Sequence, residues 1–273
     1  MSQQAKLEQM LELPDPLIFQ STDITWLLDH VGGLDGDVRD HLTYSLLSRG
    51  FMAGGFTTCQ KVAVATQVEA DKGLWTDIGS DGGDQVFLRS FSALLGALIL
   101  GADAQSPFLT ASQQTVWFRA AVDYLPRERD RRGFVPGRGW AHAMAHGSDF
   151  LSAAIRHPAF PVTRRSAAMH AIRAVLDATQ APFQDDEEER LAVVLQGFTV
   201  DASGCEQVAQ LLTDCGAAYW QEYDREPSNN QNYYRISTFK RVCEALYFLA
   251  PNVRQAAQAQ LDRYFSEMGL TQP

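Results

Sequence analysis

Two histidines and an aspartate, His142, His146 and Asp149, stand four and three positions apart within WAHAMAHGSDF, residues 140–150. On a helix turning about 100° per residue, that spacing gathers them into one narrow stripe. Ala141, Ala143 and Ala145 flank the stripe and let neighbouring helices come close, so the three polar side chains are expected at the floor of a cleft. Two chemistries follow. Imidazoles at i and i+4 with a carboxylate can hold one divalent ion and leave a position open. Without a metal, His142 or His146 can pass a proton near neutral pH while Asp149 fixes the tautomer. The zinc-protease pattern puts Glu directly after its first His, and Ala143 stands there instead. The preferred reading therefore needs no metal and no cofactor, and a solvated polar helix face is the plainest account of the same stripe.

Arg89 adds a second feature. It lies in DQVFLRSFSALLGALILG, residues 84–101, where Phe87, Phe91, Leu94 and Leu98 form one apolar face and Leu88, Ile99 and Leu100 occupy the others. Such a helix is buried all round. A guanidinium there needs a carboxylate, with Asp40, Asp84 and Asp149 as candidates, or a polar cavity. It is either an internal ion pair or an anion clamp suited to carboxylate or phosphate. A third feature is the stretch from Arg127 to Trp140, where Arg127, Arg129, Arg131, Arg132 and Arg138 outnumber Glu128 and Asp130. Gly133, Gly137 and Gly139 permit close backbone approach, and Trp140 can present a ring to a ligand.

Helices must position these groups. Apolar residues recur at three- and four-residue intervals almost everywhere, and no run alternates as a half-buried strand does. The pattern predicts helices near 4–12, 22–31, 37–49, 57–71, 84–101, 111–125, 140–157, 164–179, 187–199, 204–223, 229–249 and 252–268. Thr110 with Gln113 and Ser228 with Gln231 each match a capping box. The acidic run Asp185 to Glu189 suits a helix start, where the backbone dipole favours negative charge. Asp35, Asp37 and Asp40 lack the twelve-residue calcium-loop pattern and read as another helix start. About a dozen antiparallel helices predict an all-α fold, an α-solenoid-like superhelix forming a single domain over 1–273. The aromatics near the carboxyl end, Tyr233, Tyr234, Phe239, Tyr247 and Phe248, are expected in the core.

Composition narrows the function. The chain has 273 residues, 45% of them hydrophobic, and a formal charge of −10. Its longest apolar stretch, Phe91 to Leu100, falls well short of the roughly 20 residues that span a membrane. The first eleven residues lack a signal-peptide pattern, and Cys59, Cys205, Cys215 and Cys243 form no CxxC pair and are expected as reduced, buried thiols. A cytoplasmic location is expected, with no nucleic acid and no membrane as partner. Walker, Rossmann, GxSxG and zinc-knuckle motifs are missing from the sequence.

At Arg39-Asp40, at DQVFLRSFSALL from Asp84 to Leu95, and above all at DRRGFVPGRGWAHAMAHGSDFL from Asp130 to Leu151, the sequence resembles the domain-of-unknown-function family 2785, an uncharacterised bacterial family. Arg132, Gly133, Phe134, Gly139, Trp140, His142, His146 and Asp149 match its pattern one by one. The resemblance covers about 20–250 and implies a helical domain without assigning an activity. It supports treating the histidine stripe, Arg89 and Trp140 as one constellation.

The first expectation is thus a helical-repeat protein whose polar pocket binds a small anionic ligand or a peptide segment. Arg89, Arg132, Trp140 and Asp84 would bind, and His142, His146 and Asp149 would supply hydrogen bonds or proton transfer. One rival is a metal-dependent hydrolase built on His142, His146 and Asp149. The other is a helical scaffold without a ligand pocket.

Overall fold

A computed structural model describes residues 1–270. The chain is all-α, with one two-stranded ribbon as its sheet content among the described residues. It packs as two compact units, Met1–Phe160 and Pro161 onward.

In the first unit, α1 (Gln3–Leu11) and α2 (Ser21–Asp29) lead into a π-helix, Asp37–Tyr44, that continues directly as α3 (Ser45–Met52). Then follow α4 (Thr58–Asp71), α5 (Gln85–Gln105), α6 (Ala111–Arg127), the ribbon β1 (Phe134–Val135) with β2 (Gly139–Trp140), and α7 (Ala143–Arg156). Thr110 caps α6 as its spacing predicts: its side chain accepts the Gln113 N–H while Gln113 answers the Thr110 N–H.

Helix α5 is the axis of this unit. It is long and apolar enough to cross a membrane by length and composition, yet its residues from Val86 to Asp103 are mostly buried against α3, α4, α6 and α7. Its closest partner is α7, and Gly96 explains the approach: a Cβ there would lie 2.6 Å from the Phe150 ring. Ser90 and His146 join the same two helices through a hydrogen bond of 2.7 Å.

In the second unit, α8 (Arg165–Asp177), α9 (Glu187–Phe198), α10 (Ala202–Arg225), α11 (Asn230–Leu249) and α12 (Arg254–Glu267) enclose Leu191, Leu195, Val208, Leu212, Val242 and Leu246. Helix α11 is capped by Asn229, whose side chain accepts the Gln231 N–H, one residue later than the expected Ser228. Phe239 is buried here, but Phe248 is exposed, so the carboxyl-end aromatics are only partly core. Cys215 and Cys243 are buried as expected, whereas Cys59 is exposed.

The acidic run does start a helix, with Glu187, Glu188 and Glu189 in the first turn of α9. Glu188 is almost wholly buried, and Arg241 reaches it only at 3.6 Å. Burial pushes its carboxyl from the ordinary 4.5 up to about 7, with the Arg241 charge opposing. The folded protein therefore resists ionising Glu188: the cost is complete above pH 7 and vanishes below 4.5, so this group adds stability as pH falls through that window. Glu188→Gln is expected to stabilise the protein by about 2–3 kcal/mol at pH 8 and by under about 1 kcal/mol at pH 5. Urea denaturation at the two pH values measures the difference, and an equal effect at both would contradict the assignment.

Candidate functional site: a cleft between a π-helix and a hairpin

Arg39 assembles the site. Its side chain is fully buried, with the guanidinium over the rings of Phe87 and Phe91 at 4.5 and 4.8 Å. Its Nη1 donates to the Gly33 carbonyl at 2.8 Å. Its Nη2 donates to the carbonyls of Arg138 at 2.8 Å and Trp140 at 3.3 Å. One residue of the π-helix thus holds the far strand of a hairpin about a hundred positions away in sequence. Asp40 supplies the countercharge, with its Oδ1 at 2.9 Å from Arg39 Nε.

The hairpin is built to accept this grip. Phe134 pairs with Trp140 and Val135 with Gly139, and the Arg138 N–H closes the turn on the Val135 carbonyl at 3.0 Å. Gly139 has φ of 80°, and a Cβ there would meet Arg39 Nη2 at 2.9 Å and Asp40 Oδ2 at 3.1 Å. Glycine is therefore required twice over, by conformation and by space.

Between these elements lies an open cleft of about 620 Å³. One wall carries Asp35, Asp37, Asp40 and His41, and the facing wall carries Phe134, Arg138, Gly139 and Trp140. The volume is within the roughly 300–1,000 Å³ range of small-molecule sites. Three carboxylates stand against Arg138 on the facing wall and the Arg39 guanidinium behind Asp40, which leaves one negative charge in excess, so the interior favours positive charge. Burial raises the Asp40 carboxyl above its ordinary value, opposed by the Arg39 charge and the Trp140 backbone N–H. Phe134 and Trp140 meet edge to face at 5.0 Å and remain exposed, offering aromatic surface to a ligand. A π-helix next to a cleft is itself notable, because this geometry recurs at functional sites.

The expected residues divide around this cleft. Trp140 lines it. Arg89 does not: it is sealed in a bidentate pair with Glu128, Nε to Oε2 at 2.7 Å and Nη2 to Oε1 at 2.9 Å. Its Nη1 donates to the carbonyls of Thr76 and Asp77, both at 3.1 Å. The anion-clamp reading of Arg89 is corrected accordingly, and the partner is Glu128 rather than Asp40, Asp84 or Asp149. Arg132 is likewise held by Asp130, Nη2 to Oδ2 at 2.6 Å, and donates to the Gly83 carbonyl. Asp84 meets Arg138 at 3.6 Å at the rim.

The histidine stripe takes a different form. Helix α7 starts at Ala143, and His142 precedes it as the N-cap in a left-handed conformation with φ of 45°. Its backbone therefore stands just outside the helix that carries His146 and Asp149, while its ring stays beside that of His146. The His142 ring lies 4.3 Å from Trp140 and meets His146 edge-on at 5.8 Å. His146 is buried, and its role is largely set by Ser90. The Ser90 hydroxyl donates its one proton to the Ala141 carbonyl, so it can only accept from His146 Nδ1 at 2.7 Å. Nδ1 is thus the protonated nitrogen of the neutral ring. Asp149 follows one turn later, partly buried, and does not line the cleft.

Sequence reasoning missed Asp35, Asp37, Asp40 and His41 as site residues. The available signal was the glycine-flanked acidic stretch from Gly32 to Asp40 together with the Arg39-Asp40 pair.

Comparison with curated proteins and with solved structures returned no match. A family model does match, over residues 74–248, a span that holds α5, the Arg89–Glu128 pair, the hairpin and α7 and begins after the π-helix. The chain belongs to the family described as protein of unknown function (DUF2785).

Proposed function

We propose that the first unit is a binding module whose cleft takes a small ligand, or one side chain of a peptide segment, bearing a positively charged amine. The observation that carries the reading is the composition of the lining: three aspartates and one arginine around two exposed aromatic rings. An ammonium would gain from the carboxylates of Asp35, Asp37 and Asp40 and from the face of Trp140, a cation–π contact worth about 0.5–2 kcal/mol. An anionic ligand, the first expectation from sequence, loses its supports because Arg89 and Arg132 are occupied by Glu128 and Asp130. The hydrolase reading expected His142, His146 and Asp149 within one helix, and His142 caps that helix from outside with its ring beside His146.

Calorimetric titration of cadaverine into the wild type and two variants tests the proposal. Asp40→Asn and Trp140→Ala are each expected to weaken binding about tenfold or more. The wild-type affinity should also fall with added salt, since the cleft is open and its charges are screened. Because Asp40 resists ionisation, the loss of binding on acidification should begin above the pH at which an ordinary aspartate titrates. Equal binding by all three proteins would overturn the reading.

A further inference from the structure

The two walls of the cleft differ in charge. Asp35, Asp37 and Asp40 occupy one, and Arg138 stands on the other beside Trp140. The base of Arg138 is fixed, because its carbonyl is gripped by Arg39. Its guanidinium is not: the contact with Asp84 is 3.6 Å long, and both side chains are nearly half exposed. An exposed pair of that length contributes little, so Arg138 can exchange Asp84 for another carboxylate at small cost.

On the reading that the cleft binds an amine, we infer that its ligand carries a carboxylate as well. The ammonium would face the aspartate wall, the carboxylate would take the two-pronged guanidinium of Arg138, and the aliphatic body would lie along Trp140. The ligand class is an amino acid with an amine-bearing side chain, either free or at the carboxyl end of a peptide. Arg138 is then the residue that separates such a ligand from a plain amine.

Three probes of related length test this by calorimetry on the full chain: L-lysine, Nα-acetyl-L-lysine and cadaverine. Net charge alone favours cadaverine in an acidic cleft, so the inference predicts against the simple trend. L-lysine is expected to bind the wild type about tenfold more tightly than cadaverine, a preference that collapses to within about twofold in Arg138→Gln. Binding of Nα-acetyl-L-lysine as tightly as lysine supports a peptide terminus, and weaker binding than lysine but tighter than cadaverine supports a free amino acid. Cadaverine binding as well as lysine, or a lysine preference that survives Arg138→Gln, overturns the inference while leaving the amine site standing. Failure of all three probes to bind overturns both. The exposed position of Arg138 keeps the variant folded, which a thermal melt checks.

Discussion

Truncating Glu128 to alanine is expected to destabilise the protein by about 3–5 kcal/mol, the usual cost of leaving a buried charge without its partner. Arg89 and Glu128 are both almost completely buried. Glu128 accepts from both arms of Arg89, from the Tyr124 hydroxyl at 3.1 Å, and from the backbone N–H groups of Arg129 and Asp130 at 2.9 Å. Burial and this carboxylate together push the Tyr124 phenol well above its ordinary range, so it stays a donor. Removing Glu128 strands a guanidinium, a phenol and two amides at once. The paired replacement Arg89→Met with Glu128→Leu is expected to cost clearly less than the sum of the single changes, because neither charge is then stranded. Urea denaturation of the wild type, Arg89→Met, Glu128→Leu and the double variant gives the coupling. A Glu128→Ala cost below about 1 kcal/mol would contradict the burial of the pair.

Arg39→Leu is expected to be comparably damaging, by about 3 kcal/mol or more, from a different cause. Three carbonyls lose a charged donor, each such hydrogen bond being worth about 1.5–3 kcal/mol, and Asp40 loses its countercharge. The hairpin is then released from the π-helix, so amine binding in the cleft should disappear along with the stability. Arg39→Lys should recover less than half of the loss, because one ammonium cannot reach carbonyls on two sides. Denaturation curves measure the first effect and calorimetry the second. An Arg39→Leu protein of wild-type stability would show that the grip carries no weight.

Much of the helical framework was legible because apolar spacing is a local property. The segment expected at 187–199 is helix Glu187–Phe198, and that expected at 111–125 is Ala111–Arg127. The acidic start of the first and the capping box of the second were equally local signals. What failed depends on long-range contacts. The two-residue strands of the hairpin are too short to show alternation, and their position is fixed by Arg39 from far along the chain. The helix after that hairpin starts only at Ala143, so His142 caps α7 instead of lying within it as its spacing implied. The π-helix differs from an α-helix by one residue per turn of hydrogen bonding, and apolar spacing over eight residues does not resolve that difference. Glu128 was hidden because it follows α6 inside a run of arginines, where its charge reads as a solvated loop.

The charge of the ligand is the most direct measure of the cleft. Cadaverine and glutarate, of matched length and opposite charge, can be titrated into the same full-length protein at low ionic strength. The arrangement of Asp35, Asp37, Asp40 and Trp140 predicts saturable binding of cadaverine, weakened about tenfold or more in Asp40→Asn, and no binding of glutarate. Saturable binding of glutarate with none of cadaverine would contradict it.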